Sequence, residues 1–254
     1  MEISFPNKIV LVTGASRGIG RATAQLFAGS GATVMVHYHQ NKAAAEEVLS
    51  GLPGQNHRMV QADMGHPGDI KKMVDEIIGS HGRIDILVNN AGIFEERDMT
   101  GISMEAFMDY WEQTIRVNLT GPTLLSNMVA REMMRTGGGK IVNVTSRGAF
   151  RGEPNAWAYG ASKAGLNSVG QSMAKALAPH NIQVYTIAPG FVETDMASKH
   201  LTGEKRKEIE SQSPMNRVAH PAEIARAIMM LASDGTEYMT GCILDMNGAS
   251  YLRT

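Results

Sequence analysis

Cysteine is nearly absent from this sequence: the 254 residues contain one, Cys242, in an apolar stretch near the C-terminus. A single thiol cannot form an internal disulfide or a multi-cysteine metal site, so we expect a chain that works in the reducing cytoplasm and binds no metal. An excess of either charge is also lacking, with 24 Lys and Arg against 25 Asp and Glu. This balance gives no overall field that would draw the chain to nucleic acid or to an anionic membrane.

Long hydrophobic runs are missing as well. The sequence has no stretch of about 18 apolar residues, the length that a membrane-spanning helix needs. Residues 1–8 lack the basic segment and apolar run of an export signal, so we expect a soluble protein that is not exported. With 43% hydrophobic residues, the chain suits one large α/β domain, and we predict a single domain over residues 1–254.

Short apolar runs alternate with longer helical segments along the whole chain, which is typical of βαβ units and a parallel sheet. The predicted strands cover residues 8–13, 32–38, 57–62, 84–89, 140–146, 182–188 and 241–245. The predicted helices cover residues 18–29, 41–51, 67–81, 103–135, 157–179 and 221–233. Prolines near helix starts and glycines after helix ends support these bounds, namely Pro67, Pro154, Pro221, Gly29, Gly51 and the glycines at 137–139.

Two segments, 93–103 and 190–216, follow predicted strands but show no clear periodicity. In an open α/β sheet, ligands bind in the crevice beyond the carboxyl ends of the strands. We therefore expect these segments to form the walls of a site, with a substrate loop or lid near 190–216.

A glycine-rich loop follows the first predicted strand and leads directly into a helix. Its sequence is Thr13-Gly14-Ala15-Ser16-Arg17-Gly18-Ile19-Gly20. Glycines at these spacings permit a tight turn, close approach of a pyrophosphate to the backbone, and close helix–sheet packing. A lone glycine triplet is more often a plain turn, but the strand before it and the helix after it favour a dinucleotide site.

The end of the second strand indicates which nicotinamide cofactor is bound. Residues 37–42 contain no carboxylate that would bond a ribose 2′-hydroxyl and repel a 2′-phosphate, whereas Arg17 and Lys42 offer positive charge nearby. The pattern favours NADP(H) and leaves NAD(H) open. Asp63, at the end of the third strand, can contact the adenine region or serve as a helix N-cap. We interpret His37 and His39 as surface or edge-strand residues and not as metal ligands, because no third ligand accompanies them.

Ser146, Tyr159 and Lys163 have the spacing of a proton-transfer site. Tyr159 and Lys163 are at i and i+4, so they share one helix face, and Ser146 follows the apolar strand before that helix. A phenol has a pKa near 10, so its use as a general acid or base around neutral pH requires about 4 kcal/mol of stabilisation of the phenolate. The positive charge of a nearby lysine would stabilise the phenolate. The serine hydroxyl can bond a substrate oxygen while the phenol exchanges a proton with it. This chemistry suits interconversion of carbonyls and alcohols.

With these features in place, the chain resembles the short-chain dehydrogenase/reductase family over its whole length. The glycine loop, the serine, tyrosine and lysine, and three further motifs match in order: Asn89-Asn90-Ala91-Gly92, Val117-Asn118-Leu119, and Ala188-Pro189-Gly190-Phe191-Val192-Glu193-Thr194. The resemblance implies a Rossmann-type, doubly wound parallel sheet of about seven strands in the order 3-2-1-4-5-6-7, with helices on both faces. It also implies that residues 90–92 and Pro189, Gly190, Val192 and Thr194 lie against the cofactor.

The resemblance further implies a role for each residue of the site. Tyr159 would donate a proton to the substrate carbonyl, Ser146 would hold its oxygen, and Lys163 would bind the nicotinamide ribose and lower the pKa of the phenol. Asn118, on a long helix, would anchor a water that resupplies the proton. From local chemistry alone, Asn118 can instead bond the backbone and bend its helix, and Ser146 can cap a turn.

Within the family, the glycine loop and residues 189–196 resemble 3-oxoacyl-acyl-carrier-protein reductases. We therefore expect NADPH-dependent reduction of a 3-oxoacyl thioester, with an alcohol, sugar or polyol dehydrogenase as the alternative and a catalytically silent nucleotide-binding scaffold as the alternative of another class. Arg147 and Arg151 can receive an anionic substrate or the phosphopantetheine arm of an acyl carrier protein, or can be solvated rim residues. Family members form dimers through the helices here predicted at 103–135 and 157–179, and tetramers through a second contact made by the last strand and its preceding helix. The resemblance therefore implies a homotetramer, or failing that a dimer.

Overall fold

Seven parallel strands form one sheet in the computed structural model, which describes residues 3–198 and 202–253. Within these residues the strands are β1 (Ile9–Val12), β2 (Thr33–Tyr38), β3 (Arg58–Gln61), β4 (Ile86–Asn89), β5 (Gly139–Val144), β6 (Ile182–Pro189) and β7 (Ile243–Met246). Their order is β3-β2-β1-β4-β5-β6-β7, so the predicted order is confirmed. Every pairing is parallel, as helical crossovers require.

Ten α-helices lie in the described residues. They are α1 (Gly18–Gly29), α2 (Lys42–Ser50), α3 (Pro67–His81), α4 (Met104–Ile115), α5 (Gly121–Thr136), α6 (Gly148–Arg151), α7 (Trp157–Leu177), α8 (Asp195–Ser198), α9 (Gly203–Ser211) and α10 (Pro221–Ala232). Short 3-10 turns cover Ala178–His180 and Glu237–Met239. Pro67 and Pro221 occupy first helical turns, and Gly137 ends α5 with a φ of 96°. Pro154 lies three residues before α7.

The helices cover both faces of the sheet and divide the core in two. On one face, Phe27 of α1 and Ile228 of α10 pack with Val10 and Val34 of the strands. On the other face, side chains of α3, α5 and α7 pack with Leu11 and Leu87. Because the central strands are buried on both faces, they read as continuous apolar runs in the sequence.

The segment predicted as one helix over 103–135 has a change of pitch in its middle. Residues Arg116–Thr120 form a π-helical turn between α4 and α5, and Asn118 is buried within it. A β-carbon on Gly121 would lie 2.1 Å from the carbonyl oxygen of Met64, so the backbone there packs directly against the loop after β3. The turn widens the helix at the residue that the resemblance assigned to the active site.

Three short helices were not predicted from the sequence. These are α6, in the loop after β5, and α8 and α9, in the segment after β6. Of these, α8 and α9 belong to the segment 190–216 that the sequence predicted as a wall of a site, whereas α6 lies outside both predicted wall segments. No helix in the described residues is both long enough and apolar enough to cross a membrane.

Candidate active site

A cavity of about 1070 Å³ opens beyond the carboxyl ends of the strands. This volume is at the upper end of the range for small-molecule sites. Most of the residues predicted for the site line it, namely Gly14, Ser16, Arg17, Gly18, Ile19, Asp63, Asn90, Ala91, Gly92, Ser146, Tyr159, Lys163, Pro189, Gly190, Val192 and Thr194. Gly20 and Asn118 lie behind this wall and shape it from outside.

The glycine loop is built from contacts that a side chain would prevent. Gly14 and Gly18 have φ values of 63° and 54°, in the left-handed region that favours glycine. A β-carbon on Gly20 would lie 2.2 Å from the carbonyl oxygen of Gly14. The first turn of α1 therefore packs tightly against the loop and presents its backbone N–H groups to the cavity, an arrangement that binds anions such as a pyrophosphate. These residues fit a dinucleotide.

Asn90 supports this loop from the neighbouring strand end. Its side-chain amide donates hydrogen bonds to the carbonyl oxygens of Thr13, at 2.9 Å, and Gly14, at 3.2 Å. The backbone N–H groups of Asn90 and Ala91 donate to the hydroxyl of Thr13 at 2.9 and 3.0 Å. The motif after β4 thus connects the two central strands at the floor of the cavity.

His37 also supports the glycine loop, and the sequence interpretation of this residue was wrong. It lies on β2, between β3 and β1, with 1% of its surface exposed. Its Nδ1 accepts from the N–H of Gly14 at 2.9 Å, and its Nε2 bonds the carbonyl oxygen of Ala62 at 3.1 Å. Burial lowers the pKa of His37 from 6.5 to about 4, so the ring is neutral at pH 7. His39, by contrast, is half exposed and fits the surface interpretation.

Arg17 supplies positive charge at the end of the cavity that lies beside β2. Arg17 lines it on an exposed part of the glycine loop, while Lys42 pairs with Glu46 at 3.4 Å and is not among the lining residues. Asp63 lines the cavity with its carboxylate accepting from the N–H of Gly65 at 2.7 Å. It is not a helix N-cap, because His66 holds that position before α3.

Tyr159 and Lys163 lie one turn apart on α7 at the other end of the cavity. The Lys163 ammonium is 5.7 Å from the centre of the Tyr159 ring and donates to the carbonyl oxygen of Val144 at 3.0 Å. Burial lowers the pKa of Lys163 to about 8. The Lys163 side chain is therefore mostly in its charged form at pH 7.

The Tyr159 phenol is in its acid form at neutral pH. Burial raises the pKa of Tyr159 to about 12, a hydrogen bond with Ser146 opposes this rise, and the negative charge of Glu153 adds to it. The ring packs edge-on against Phe94, with 4.9 Å between ring centres. In this arrangement desolvation has a larger effect on the phenol than the cation one turn away.

Ser146 caps a turn, which is one of the two roles that the sequence left open, and it also contacts Tyr159. Its Oγ accepts from the N–H of Gly148 at 3.0 Å, which caps the turn into α6, and it also bonds the phenol of Tyr159. A hydroxyl has one donor and two acceptor positions, so these bonds are compatible with each other.

Asn118 bonds the backbone of the loop after β4. Its Oδ1 accepts from the N–H of Ile93 and its Nδ2 donates to the carbonyl oxygen of the same residue, both at 2.8 Å. The Nδ2 also reaches the hydroxyl of Ser162 at 3.3 Å. The side chain therefore ties the π-helical turn to the wall of the cavity and to α7.

The segment 190–216, predicted as a lid, supplies much of the outer wall, although its residues 199–201 lie outside the described ranges. Met196 from α8 and Lys205 and Glu208 from α9 line the cavity, together with Gln212 just after α9. Arg147 is buried beneath this wall, so the rim interpretation was wrong for it, whereas Arg151 is exposed.

Comparisons with known proteins match almost the whole chain to oxidoreductases of one kind. The family model described as "Enoyl-(Acyl carrier protein) reductase" matches residues 14–248. The 3-oxoacyl-[acyl-carrier-protein] reductase FabG of Aquifex aeolicus is 37% identical over 99% of this chain and 100% of the relative. The enzymes of the same name from Thermotoga maritima and Escherichia coli are 39% and 37% identical, over 95% and 98% of this chain and 96% and 100% of their own lengths. The crystal structure of gox2181 superposes with a TM-score of 0.91 at 29% identity, covering 98% of this chain and 97% of the other.

Proposed function

The chain belongs to the short-chain dehydrogenase/reductase family, and from this premise we propose that it uses NADPH to reduce a 3-oxoacyl thioester to the 3-hydroxyacyl form. It is an oxidoreductase that acts on CH–OH and C=O groups with a nicotinamide cofactor. The observation that carries the proposal is one cavity with a glycine loop at one end and Ser146, Tyr159 and Lys163 at the other. The full-length relatives named for this reaction supply the substrate class.

Each residue of the site performs one task in the proposed reduction. When bound, the nicotinamide supplies a hydride. Ser146 holds the substrate carbonyl oxygen, and Tyr159, which keeps its proton at neutral pH, donates that proton to the same oxygen. The Lys163 ammonium stabilises the phenolate that remains. Asn118 fixes the wall at Ile93 and keeps the π-helical turn in place beside these groups.

We propose NADP(H) as the physiological cofactor because Arg17 lines the end of the cavity beside β2. A guanidinium suits a phosphate through its fork of donors. Arg17→Ala is expected to raise the KM for NADPH by at least about 10-fold, the value of one charge-assisted contact, while changing that for NADH much less. Steady-state kinetics with both cofactors measures this, and an unchanged preference would contradict the assignment of Arg17.

The proposed substrate is presented by an acyl carrier protein, as the names of the relatives state for those enzymes. We propose that residues 1–254 work as one catalytic domain in which the segment 190–216 covers the bound acyl group. The described parts of that segment supply Met196, Lys205 and Gln212 to the cavity.

We further propose that the protein is a homotetramer built from two kinds of contact. Met104 and Trp157, on α4 and α7, are 71% and 49% exposed, and the rings of Phe107 and Trp111 stack beside them. Tyr238 and Met239, in the turn before β7, form a second exposed apolar group. Large exposed apolar side chains grouped on a surface mark sites of protein association.

The reaction is tested by following NADPH absorbance with a panel of acetoacetyl thioesters, sugars, diketones and steroids. We expect turnover with the thioesters, and we expect Tyr159→Phe to abolish it while NADPH still binds, because the substitution removes only the phenolic hydroxyl that donates the proton. Cofactor binding is measured separately by fluorescence titration. Turnover with sugars or steroids alone would overturn the substrate class, and full activity in Tyr159→Phe would overturn the mechanism.

A further inference from the structure

Arg147 is a buried cation in the wall of the cavity. Only 3% of its surface is exposed. Its Nη1 donates to the hydroxyl of Ser250, its Nη2 donates to the side-chain oxygen of Gln212, and its guanidinium lies 5.1 Å from the ring centre of Phe191. Every one of these groups is neutral.

The positive charge of Arg147 has no ion-pair partner within 4.0 Å among residues 3–198 and 202–253. Burial lowers the pKa of Arg147 to about 10, so the group is still charged at pH 7. Burying a cation without an anion is strongly unfavourable, and buried charges in proteins are normally paired.

A second guanidinium points at the same neutral acceptor. The Nη1 of Arg151 lies 3.4 Å from the oxygen of Gln212 that Arg147 also bonds. The Nε of Arg151 faces the Glu153 carboxylate at 3.4 Å. Two cations therefore converge on one amide oxygen with one carboxylate beside them, which leaves an excess positive charge at this point of the cavity.

The position of the pair identifies the part of the substrate that it faces. Arg147 directly follows Ser146 in the chain, and its N–H donates to the carbonyl oxygen of Pro189 at 2.8 Å. Its guanidinium thus lies within one side-chain length of the residue proposed to hold the reacting carbonyl. The phosphate of a carrier's arm is separated from the thioester by the whole pantetheine chain, so an anion near Arg147 belongs to the acyl part.

We infer that Arg147 and Arg151 form a subsite for a carboxylate on the acyl chain, and that the substrate is a 3-oxoacyl thioester carrying such a group. This inference rests on the proposed function. The fork of a guanidinium matches a carboxylate with two parallel hydrogen bonds. The carboxylate would supply the negative charge that the neutral partners of Arg147 lack.

The experiment compares two thioesters of N-acetylcysteamine with the same acyl length: the 3-oxoadipyl half-thioester with a free carboxylate, and its methyl ester. The inference predicts a kcat/KM at least about 10-fold higher for the free acid, the value of one charge-assisted hydrogen bond. Equal values would overturn it while leaving the proposed function intact. Failure of NADPH to reduce any thioester would overturn both.

Variants connect the preference to the two side chains. In Arg147→Gln and in Arg151→Gln, the acid-to-ester ratio of kcat/KM is expected to fall toward one, a loss of about 10-fold, because each substitution removes a charged donor. A general loss of folding lowers kcat/KM for both substrates by the same factor and leaves the acid-to-ester ratio unchanged. A change in this ratio therefore reports a loss of carboxylate recognition and not a loss of stability. Arg151 is exposed, and its variant carries the test if Arg147→Gln does not fold.

Acetoacetyl-coenzyme A provides the remaining test, because its phosphates lie on the coenzyme side of the thioester and its acyl group carries no charge. We expect neither variant to reduce its kcat/KM relative to that of the neutral acetoacetyl thioester of N-acetylcysteamine. A selective loss with coenzyme A would show that the pair binds the phosphate of the carrier arm, and would overturn the carboxylate assignment. The carboxylate assignment would also be overturned if both variants kept the acid-to-ester ratio of the natural chain.

Discussion

His37 supports the glycine loop from inside the sheet, a role that its neighbours in the sequence do not indicate. The short apolar run of β2 predicts a strand but does not say whether that strand is central or at an edge. The sheet order places β2 inside, and the imidazole bridges the Gly14 N–H and the Ala62 carbonyl. A buried histidine with both nitrogens bonded is neutral, and it holds the glycine loop at a fixed distance from β3.

This bridge makes the fold sensitive to acid. The pKa of His37 is about 4 in the folded chain and 6.5 when unfolded, so between these values the unfolded chain binds a proton that the folded chain does not. Stability is therefore lost as the pH falls through this window, by about 3 kcal/mol. Urea unfolding at several pH values measures the loss, and His37→Leu should lack this component.

His39 provides the matched control, since it lies two residues away with half of its side chain exposed. We expect His39→Gln to keep the acid sensitivity of the natural chain. We also expect His37→Leu to raise the KM for NADPH, because the Gly14 N–H loses its acceptor. Identical pH dependence in His37→Leu and the natural chain would contradict the role of this bridge.

The convergence of Ser146, Tyr159 and Lys163 in one cavity was predictable from the sequence, whereas the pKa shifts of the tyrosine and the lysine were not. The i, i+4 spacing correctly indicated that Tyr159 and Lys163 share a helix face, and the strand before them brought Ser146 to the same place. The direction of the Tyr159 pKa was not predictable, because it depends on desolvation by residues such as Phe94 that are distant in sequence.

At the scale of elements, periodic segments were predictable and aperiodic ones were not. The bounds of α1 and α3 match the predicted ranges because proline, glycine and apolar spacing all agree there. In α9 one residue, Ile209, is buried, so the helix has almost no apolar face to detect. The π-helical turn at Arg116–Thr120 also gave no signal in the sequence, and the bond from Asn118 within it reaches Ile93, 25 residues away.

The junction after this turn leads to a prediction about helix packing. Gly121→Ala would bring a methyl group 2.1 Å from the Met64 carbonyl oxygen if nothing moved. We expect a loss of about 2 kcal/mol in the free energy of unfolding, the usual cost of overpacking, measured by urea unfolding. Because Asn118 lies in the adjacent turn, kcat should fall as well.

Gly79, inside α3, has no atom within 4 Å of an added β-carbon and serves as the control. Gly79→Ala is expected to stabilise the chain by up to about 1 kcal/mol through helix propensity alone. If both variants behave alike, close packing at Gly121 is not what limits that position.

At the scale of the whole molecule, the strand order was correctly predicted by the resemblance to the short-chain dehydrogenase/reductase family, whose motifs occur in this chain in the same order. Convergence of Arg147, Arg151 and Gln212 could not be predicted in this way. Gln212 belongs to the segment after β6, whose path across the cavity is not encoded in any periodic pattern.

Assembly can be tested by separating the two proposed contacts. Trp157→Glu introduces a charge on the α4 and α7 surface, and Tyr238→Glu introduces one before β7, where the side chain is fully exposed. We expect the natural chain to sediment as a tetramer and each variant as a dimer, because one kind of contact remains in each. A monomeric natural chain would contradict the proposal, whereas a variant that stays tetrameric would exclude its surface from the contacts.

The glycine loop has a thermodynamic consequence for ligand capture. Its backbone is already bonded by the His37 imidazole and the Asn90 amide, and its Thr13 hydroxyl accepts from the backbone N–H groups of Asn90 and Ala91. The conformational entropy of these residues is thus lost when the chain folds and not when a pyrophosphate arrives. Association should therefore resemble the docking of two rigid bodies, with little reordering of the chain at that end of the crevice.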